Sequence, residues 1–252
     1  MRFAPDMRRL SWLVARPIAH RGLHNHANGV LENTSAAFAA AVERGYAIEC
    51  DLQLSKDGEA VVFHDWTLDR VTEATGRVDG HTAAELKAIP FKNSDNRVQT
   101  LAELLQQVDG RVPLVIEIKS RWNGEERLTL RALTLLEHYA GPYCLMSFDP
   151  HVIEVVRRYS PFTIRGIVAD RIIDDSYRKL TVSQRLDLRN LTHLAHTQPD
   201  FISFYWRDMP WAPVNRFRQA GCPVLSWTIR SPEAAALARR YCDQITFERF
   251  LP

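Results

Sequence analysis

"AIECDLQL", residues 47–54, alternates two kinds of side chain at a strict period of two. In an extended chain, residues i and i+2 share a face. Ile48, Cys50 and Leu52 therefore lie on one face, and Glu49 and Asp51 on the other. "PLVIEIK" (113–119) repeats the pattern, with Glu117 and Lys119 opposite Ile116 and Ile118. "AVVFH" (60–64) ends on His64, and "RPIAH" (16–20) ends on His20, followed at once by Arg21 and Gly22. Charged side chains are costly inside a protein unless they are paired or bind an ion. Their recurrence near the ends of several strands marks a site rather than a run of surface positions.

Five further runs read as strands: 143–148, 163–168, 201–204, 223–227 and 244–247. Helical patterns fall between them at 33–45, 100–108, 126–139, 150–159, 211–220 and 232–241. Asn33 or Thr34 is placed to cap the first of these helices and Gly45 to stop it. Pro232 behind Ser231 suits a first helical turn. Strands alternating with helices imply parallel strands and crossover connections. The expected fold is α/β, a TIM (β/α)8 barrel forming a single domain over residues 1–252. Nine strands for eight barrel positions leave one over, so 60–64 pairs with 47–54 or lies at the rim. Residues 66–98, rich in Thr, Asp, Gly and Asn, read as a small insertion subdomain after the second strand, with a short helix at 82–88.

The composition is that of an ordinary globular chain: 252 residues, 46% hydrophobic and 25% charged, with apolar mass enough for a sizeable core. A net charge of +2 with both signs interspersed makes no case for nucleic acid or an anionic membrane surface. Cys50, Cys144, Cys222 and Cys242 are widely spaced and read as buried free thiols, which suits a reducing compartment. "LSWLVA" (10–15) is too short for a signal core, and no segment approaches the roughly 18 apolar residues of a membrane span. A cytoplasmic protein with no stable membrane anchor is expected. Nothing in the sequence specifies an oligomer.

Glu49, Asp51 and Glu117 would bring three carboxylates together. In a low-dielectric site their repulsion raises pKa values unless a cation neutralises them. An all-oxygen ligand set suits one hard divalent cation, Mg²⁺ or Ca²⁺. Arg21 and Lys119 add positive charge fit for an anionic substrate such as a phosphate. His20 and His64 supply two groups able to move protons near neutral pH. Together these residues point to phosphoryl-transfer or phosphodiester chemistry.

The chain resembles the glycerophosphodiester phosphodiesterases through "AHRG" (19–22), "ENTSAAFAAAVERGY" (32–46), "IECDLQLSKDGEAVVFHDWTLDRVT" (48–72) and "LVIEIKS" (114–120). The likeness is dense over 17–120 and thinner afterwards, through "MSFDP" (146–150), "RG" (165–166) and "SWT" (226–228). It implies metal-dependent hydrolysis of glycerophosphodiesters to sn-glycerol 3-phosphate and an alcohol. By position it implies Glu49, Asp51 and Glu117 as metal ligands, His20 and His64 as the acid/base pair, and Arg21 and Lys119 as phosphate contacts. Glu32 and Asn33 support the first histidine or the metal, and Trp227 walls the substrate. Two departures stand out. The loop at 23–34 lacks a proline before Glu32 and carries His24 and His26, which read as solvated. The ending "CDQITFERF" (242–250) puts Glu248 or Phe247 at an acidic position of the family pattern. Two other enzymatic readings share the site: a cyclising lyase, or a phosphodiesterase for sugar or lysophospholipid diesters. A non-catalytic phosphoglycerol-binding module is the remaining alternative.

Overall fold

A computed structural model describes residues 7–173 and 177–252. Nine strands alternate with helices. They are β1 (Ile18–Ala19), β2 (Ala47–Leu54), β3 (Ala60–Val62), β4 (Leu114–Ile118), β5 (Tyr143–Ser147), β6 (Arg165–Ala169), β7 (Phe201–Tyr205), β8 (Val224–Ile229) and β9 (Gln244–Phe247). The helices are α1 (Met7–Ala15), α2 (Ser35–Arg44), α3 (Ala83–Ala88), α4 (Leu101–Val108), α5 (Arg127–Leu136), α6 (Pro150–Tyr159), α7 (Val182–Asn190), α8 (Leu194–Thr197), α9 (Ala212–Gln219) and α10 (Pro232–Ala238).

Eight strands run parallel in the order β1-β2-β4-β5-β6-β7-β8-β9, and β1 pairs with both β2 and β9 to close the barrel. The expected TIM barrel is what forms. β3 is the strand left over; it pairs antiparallel with the C-terminal half of β2, Leu52 opposite Val62, and so lies at the rim. Residues beyond it reach α3 through a turn. They pack Leu68, Val71, Val78, Leu86 and Phe91 into a small apolar cluster with Phe63.

Alternation along the strands sorts the side chains. Ile48, Cys50, Leu52, Ile116 and Ile118 join the outer apolar layer beneath the helices, together with Phe38, Leu101 and Leu104. Ala47, Val115, Phe201 and Leu225 fill the lower interior with Leu10 and Leu13 of α1, and Met146 and Val168 of the same cluster lie higher, Met146 level with Glu117. The interior is thus apolar below, and its charged residues sit above, toward the strand C-termini where barrel sites are built.

Local signals behave as the sequence predicts at both ends of α2 and at the start of α10. Thr34, rather than Asn33, caps α2 by accepting from the Ala37 N–H, and Gly45 ends it at φ 67°. Ser231 caps α10 ahead of Pro232. The sequence reading lacks α1, α7 and α8. α1 is short and carries two arginines, and α7 buries only Leu188, so neither shows a wide apolar stripe. All four cysteines are free and buried. Among the described residues no helix is long and apolar enough to cross a membrane.

Candidate active site

The C-terminal mouth of the barrel holds a cavity of about 210 Å³ lined by His20, Arg21, Glu49, Asp51, His64, Glu117 and Lys119, with Trp227 at its side. Register explains the grouping. Asp51 pairs with Glu117 across β2 and β4, and Glu49 lies one step lower on the same face of β2. All three carboxylates are buried. Each offers one oxygen within 4.8 Å of the others'. Burial first, and then the charges of Asp51 and Glu117, push the Glu49 carboxyl well above the usual carboxylate range.

Lys119 leans on the other two carboxylates. Its Nζ stands 2.8 Å from Asp51 Oδ1 and 2.6 Å from Glu117 Oε1. Burial would raise the Asp51 carboxyl, but the charges of Lys119, His64 and Arg21 outweigh it and hold that group below its ordinary value. Burial likewise works against the Lys119 ammonium, yet Asp51 and Glu117 lift it above its ordinary range. Lys119 bridges Asp51 and Glu117, and the Arg21 side chain is shared between Asp51 and Glu32, so Glu49 is the carboxyl whose ionised form most needs a further cation. An all-oxygen set of this kind, held on rigid strands, fits a hard divalent cation.

The two histidines are tethered alike. His20 donates from Nδ1 to Glu248 Oε2 at 2.6 Å, and its Nε2 lies 4.0 Å from Glu49. His64 donates from Nδ1 to Asp65 Oδ1 at 2.7 Å. A carboxylate on one ring nitrogen sets the ring's orientation and tautomer. Burial lowers the His20 imidazole to about 4, against the Glu248 hydrogen bond, which raises it. Asp65 is held in turn by Arg70, whose Nε donates to Oδ2 at 2.5 Å.

Arg21 turns sharply after β1. It takes φ 55°, and Gly22 follows at φ 78°. A Cβ on Gly22 would lie 2.8 Å from the Ala37 Cβ and 2.9 Å from its carbonyl carbon, so only glycine lets α2 approach this closely. The turn aims the Arg21 backbone N–H at Glu49 Oε2, 2.9 Å away. Its side chain donates from Nη1 to Glu32 Oε1 at 2.6 Å. The buried Arg21 Nε lies 3.4 Å from Asp51 Oδ2 and makes no hydrogen bond among the described residues.

Asn33 donates from Nδ2 to Asp51 Oδ2 at 2.8 Å, so it supports the carboxylate group. Glu32 touches neither His20 nor those carboxylates. It accepts from Arg21 and from Arg70, with His26 at 3.6 Å, and so ties the arginine beside the cavity to the arginine that holds Asp65. Trp227 donates from Nε1 to the Ser203 carbonyl and stands edge-on to Phe148, giving the cavity an aromatic wall.

The loop departs from expectation at His24. Its side chain is only 7% exposed and lies 3.5 Å from Glu248 Oε2, whereas His26 is 47% exposed. A turn at 26–28 and a bridge between Asn25 and Val30 fold the loop back on the barrel mouth. Of the two C-terminal candidates, Glu248 meets the site, while Phe247 is buried in the outer core. Sequence reasoning also gave no role to Asp65 or Arg70. Asp65 carried a signal in its place beside His64. Arg70 carried none, because its partners are 5 and 38 residues away.

Residues 20–248 match the glycerophosphoryl diester phosphodiesterase family. The chain belongs to that family. A glycerophosphodiester phosphodiesterase of Caldanaerobacter subterraneus is 36% identical over 162 residues, covering 60% of this chain and 65% of the relative. One from Bacillus subtilis is 34% identical over 106 residues, covering 42% and 35%. The matches thus span between about a third and two thirds of these curated relatives. In fold the chain is similar to a phosphodiesterase of Oleispira antarctica solved in complex with the product sn-glycerol 3-phosphate. That likeness has a TM-score of 0.76 at 24% identity and covers 92% of each chain.

Proposed function

We propose that this chain hydrolyses glycerophosphodiesters to sn-glycerol 3-phosphate and an alcohol, with one divalent cation, Mg²⁺ or Ca²⁺. The observation that carries this reading is one cavity holding three buried carboxylates between two carboxylate-tethered histidines. Family membership and the product named for the Oleispira neighbour support the choice of substrate.

Glu49, Asp51 and Glu117 would hold the cation, which supplies charge stabilisation at a phosphoryl oxygen. The chain's own residues do the rest. The Arg21 guanidinium and the Lys119 ammonium draw the phosphate toward the strand ends and share its charge in the transition state. An alkoxide leaves poorly, so its oxygen needs a proton as the P–O bond breaks. One histidine gives that proton and the other takes one from the nucleophile. With Nδ1 committed to a carboxylate, each does so through Nε2. Trp227 and Phe148 bound the cavity on its apolar side and limit access of water there. Buried free thiols support a reducing compartment such as the cytoplasm, and the whole chain is read as one catalytic domain.

Phosphorus NMR of a panel of glycerophosphodiesters with different head groups tests the reading. Release of glycerol 3-phosphate supports it. Accumulation of a cyclic phosphate indicates a lyase instead, and binding with no cleavage indicates a phosphoglycerol-binding module.

A further inference from the structure

His20, His24 and Glu248 form a second cluster on the other side of the His20 ring from the three carboxylates. Each offers one ligand atom within 4.8 Å of the others'. Glu248 is shared in an ordered way. Its Oε1 is held by Arg230 Nε at 2.7 Å, with Arg249 Nε at 3.4 Å. Its Oε2 faces the two imidazoles, 2.6 Å from His20 Nδ1 and 3.5 Å from His24 Nε2. The three side chains line a cleft of about 1000 Å³ that opens beside the catalytic cavity. That cleft gives an ion a route in and leaves its remaining position to water.

We propose that His20 Nδ1, His24 Nε2 and Glu248 Oε2 form a binding site for a borderline transition-metal ion, Zn²⁺ above all, separate from the hard-cation site on Glu49, Asp51 and Glu117. Two imidazoles and one carboxylate with an open fourth position are a common zinc ligand set. Metal bonds of about 2.0–2.2 Å place neighbouring tetrahedral ligands about 3.3–3.5 Å apart. The His24–Glu248 separation already meets this, and the His20–Glu248 pair must open by under about 1 Å, within reach of side-chain rotation. Arg230 and Arg249 orient the carboxylate from behind, as outer partners of metal ligands do. The two imidazoles set the preference: Mg²⁺ and Ca²⁺ gain little from nitrogen ligands, which leaves the site to Zn²⁺, Co²⁺, Ni²⁺ and Cu²⁺.

The site has a consequence for the proposed reaction. A metal on Nδ1 needs the lone pair there, so the ring proton moves to Nε2 with no net change in charge. Nε2 then cannot accept a proton, and His20 is taken out of its cycle. Zn²⁺ therefore inhibits without displacing the hard cation.

Co²⁺ titration of the full chain, read by its visible absorption and with Mg²⁺ in excess, tests the binding directly. The wild type is expected to take one Co²⁺ with the intense bands of four- or five-coordinate nitrogen ligation, competed by Zn²⁺. His24→Gln, which keeps a polar partner for Glu248, should weaken it by at least about 100-fold, more than the usual loss of an outer-sphere partner. The double variant Glu49→Gln/Asp51→Asn should leave it within about threefold. Bands absent from the wild type, unchanged by His24→Gln, or lost in the double variant would overturn the site. Inhibition by Zn²⁺ that His24→Gln relieves is the second readout, and only that one depends on the chain cleaving glycerophosphodiesters.

Discussion

At the scale of single residues, the site is a set of paired charges arranged so that a few atoms stay free. Glu248 and Asp65 each occupy one nitrogen of a histidine and leave the other toward the cavity. If those nitrogens carry the proton transfers, His20→Ala or His64→Ala lowers kcat by at least about 10²-fold while circular dichroism and Tm stay near the wild type. Near-normal turnover in either variant would rule out a two-histidine scheme. Glu32 supports a different prediction. Burial pushes its carboxyl up, but the hydrogen bonds and charges of Arg70 and Arg21 reverse this and leave it at about 2, below the ordinary 4.5. A depressed pKa contributes stability that is present above the unfolded value and lost as pH falls toward the folded one. On the order of 2–3 kcal/mol should therefore disappear between about pH 5 and pH 2. The stability gap between wild type and Glu32→Gln, from urea melts, should narrow over that window; a constant gap would contradict the pairing. At this scale the sequence was most legible where chemistry repeats at period two, as in Glu49–Asp51 and Glu117–Lys119. It was least legible where a partner lies far along the chain. Glu248 is 228 residues from His20, and no local pattern announces that contact.

At the scale of elements, one turn does much of the positioning. Between β1 and α2 the chain reverses through Arg21 and Gly22, both at positive φ, and so presents a backbone N–H to Glu49 and a guanidinium to the cavity. Gly22→Ala meets both the left-handed backbone and the Ala37 backbone, and should cost about 2 kcal/mol or more. A thermal melt checks it; an unchanged Tm would mean that α2 shifts to make room. Strands were readable because burial on both faces makes compact apolar runs, and helices were readable where caps and stops are strong, as at Thr34, Gly45 and Ser231. α7 was not, because a helix that buries one leucine leaves no periodic stripe to read. The loop around His24 was misread for a related reason: its polar composition says surface, and only the fold shows it turned back against Glu248.

At the scale of the whole molecule, a closed parallel barrel separates two tasks. Its lower interior is an apolar plug to which α1 contributes Leu10 and Leu13, and its upper mouth collects charge from β2, β4 and the segments that follow β1 and β9. The plug stabilises; the mouth gathers the charged groups. The alternation of strands and helices made the barrel legible, and the surplus strand found its place because β3 pairs antiparallel with the rim end of β2 and bridges Thr100 on its other side, outside the parallel barrel. How the mouth is wired, through Glu32, Arg70 and Asp65, came only with closure, since these residues meet across loops that the pattern leaves unspecified.

The most direct test of the central claim is glycerol 3-phosphate release from glycerophosphocholine and glycerophosphoglycerol by protein stripped of metal and then supplied with Mg²⁺ or Ca²⁺. Activity should fall by at least about 10²-fold on stripping, return with one of the two ions, and fail to return in Glu49→Gln/Asp51→Asn. Full turnover by stripped protein, or full recovery in that variant, would contradict a reaction built on the three buried carboxylates.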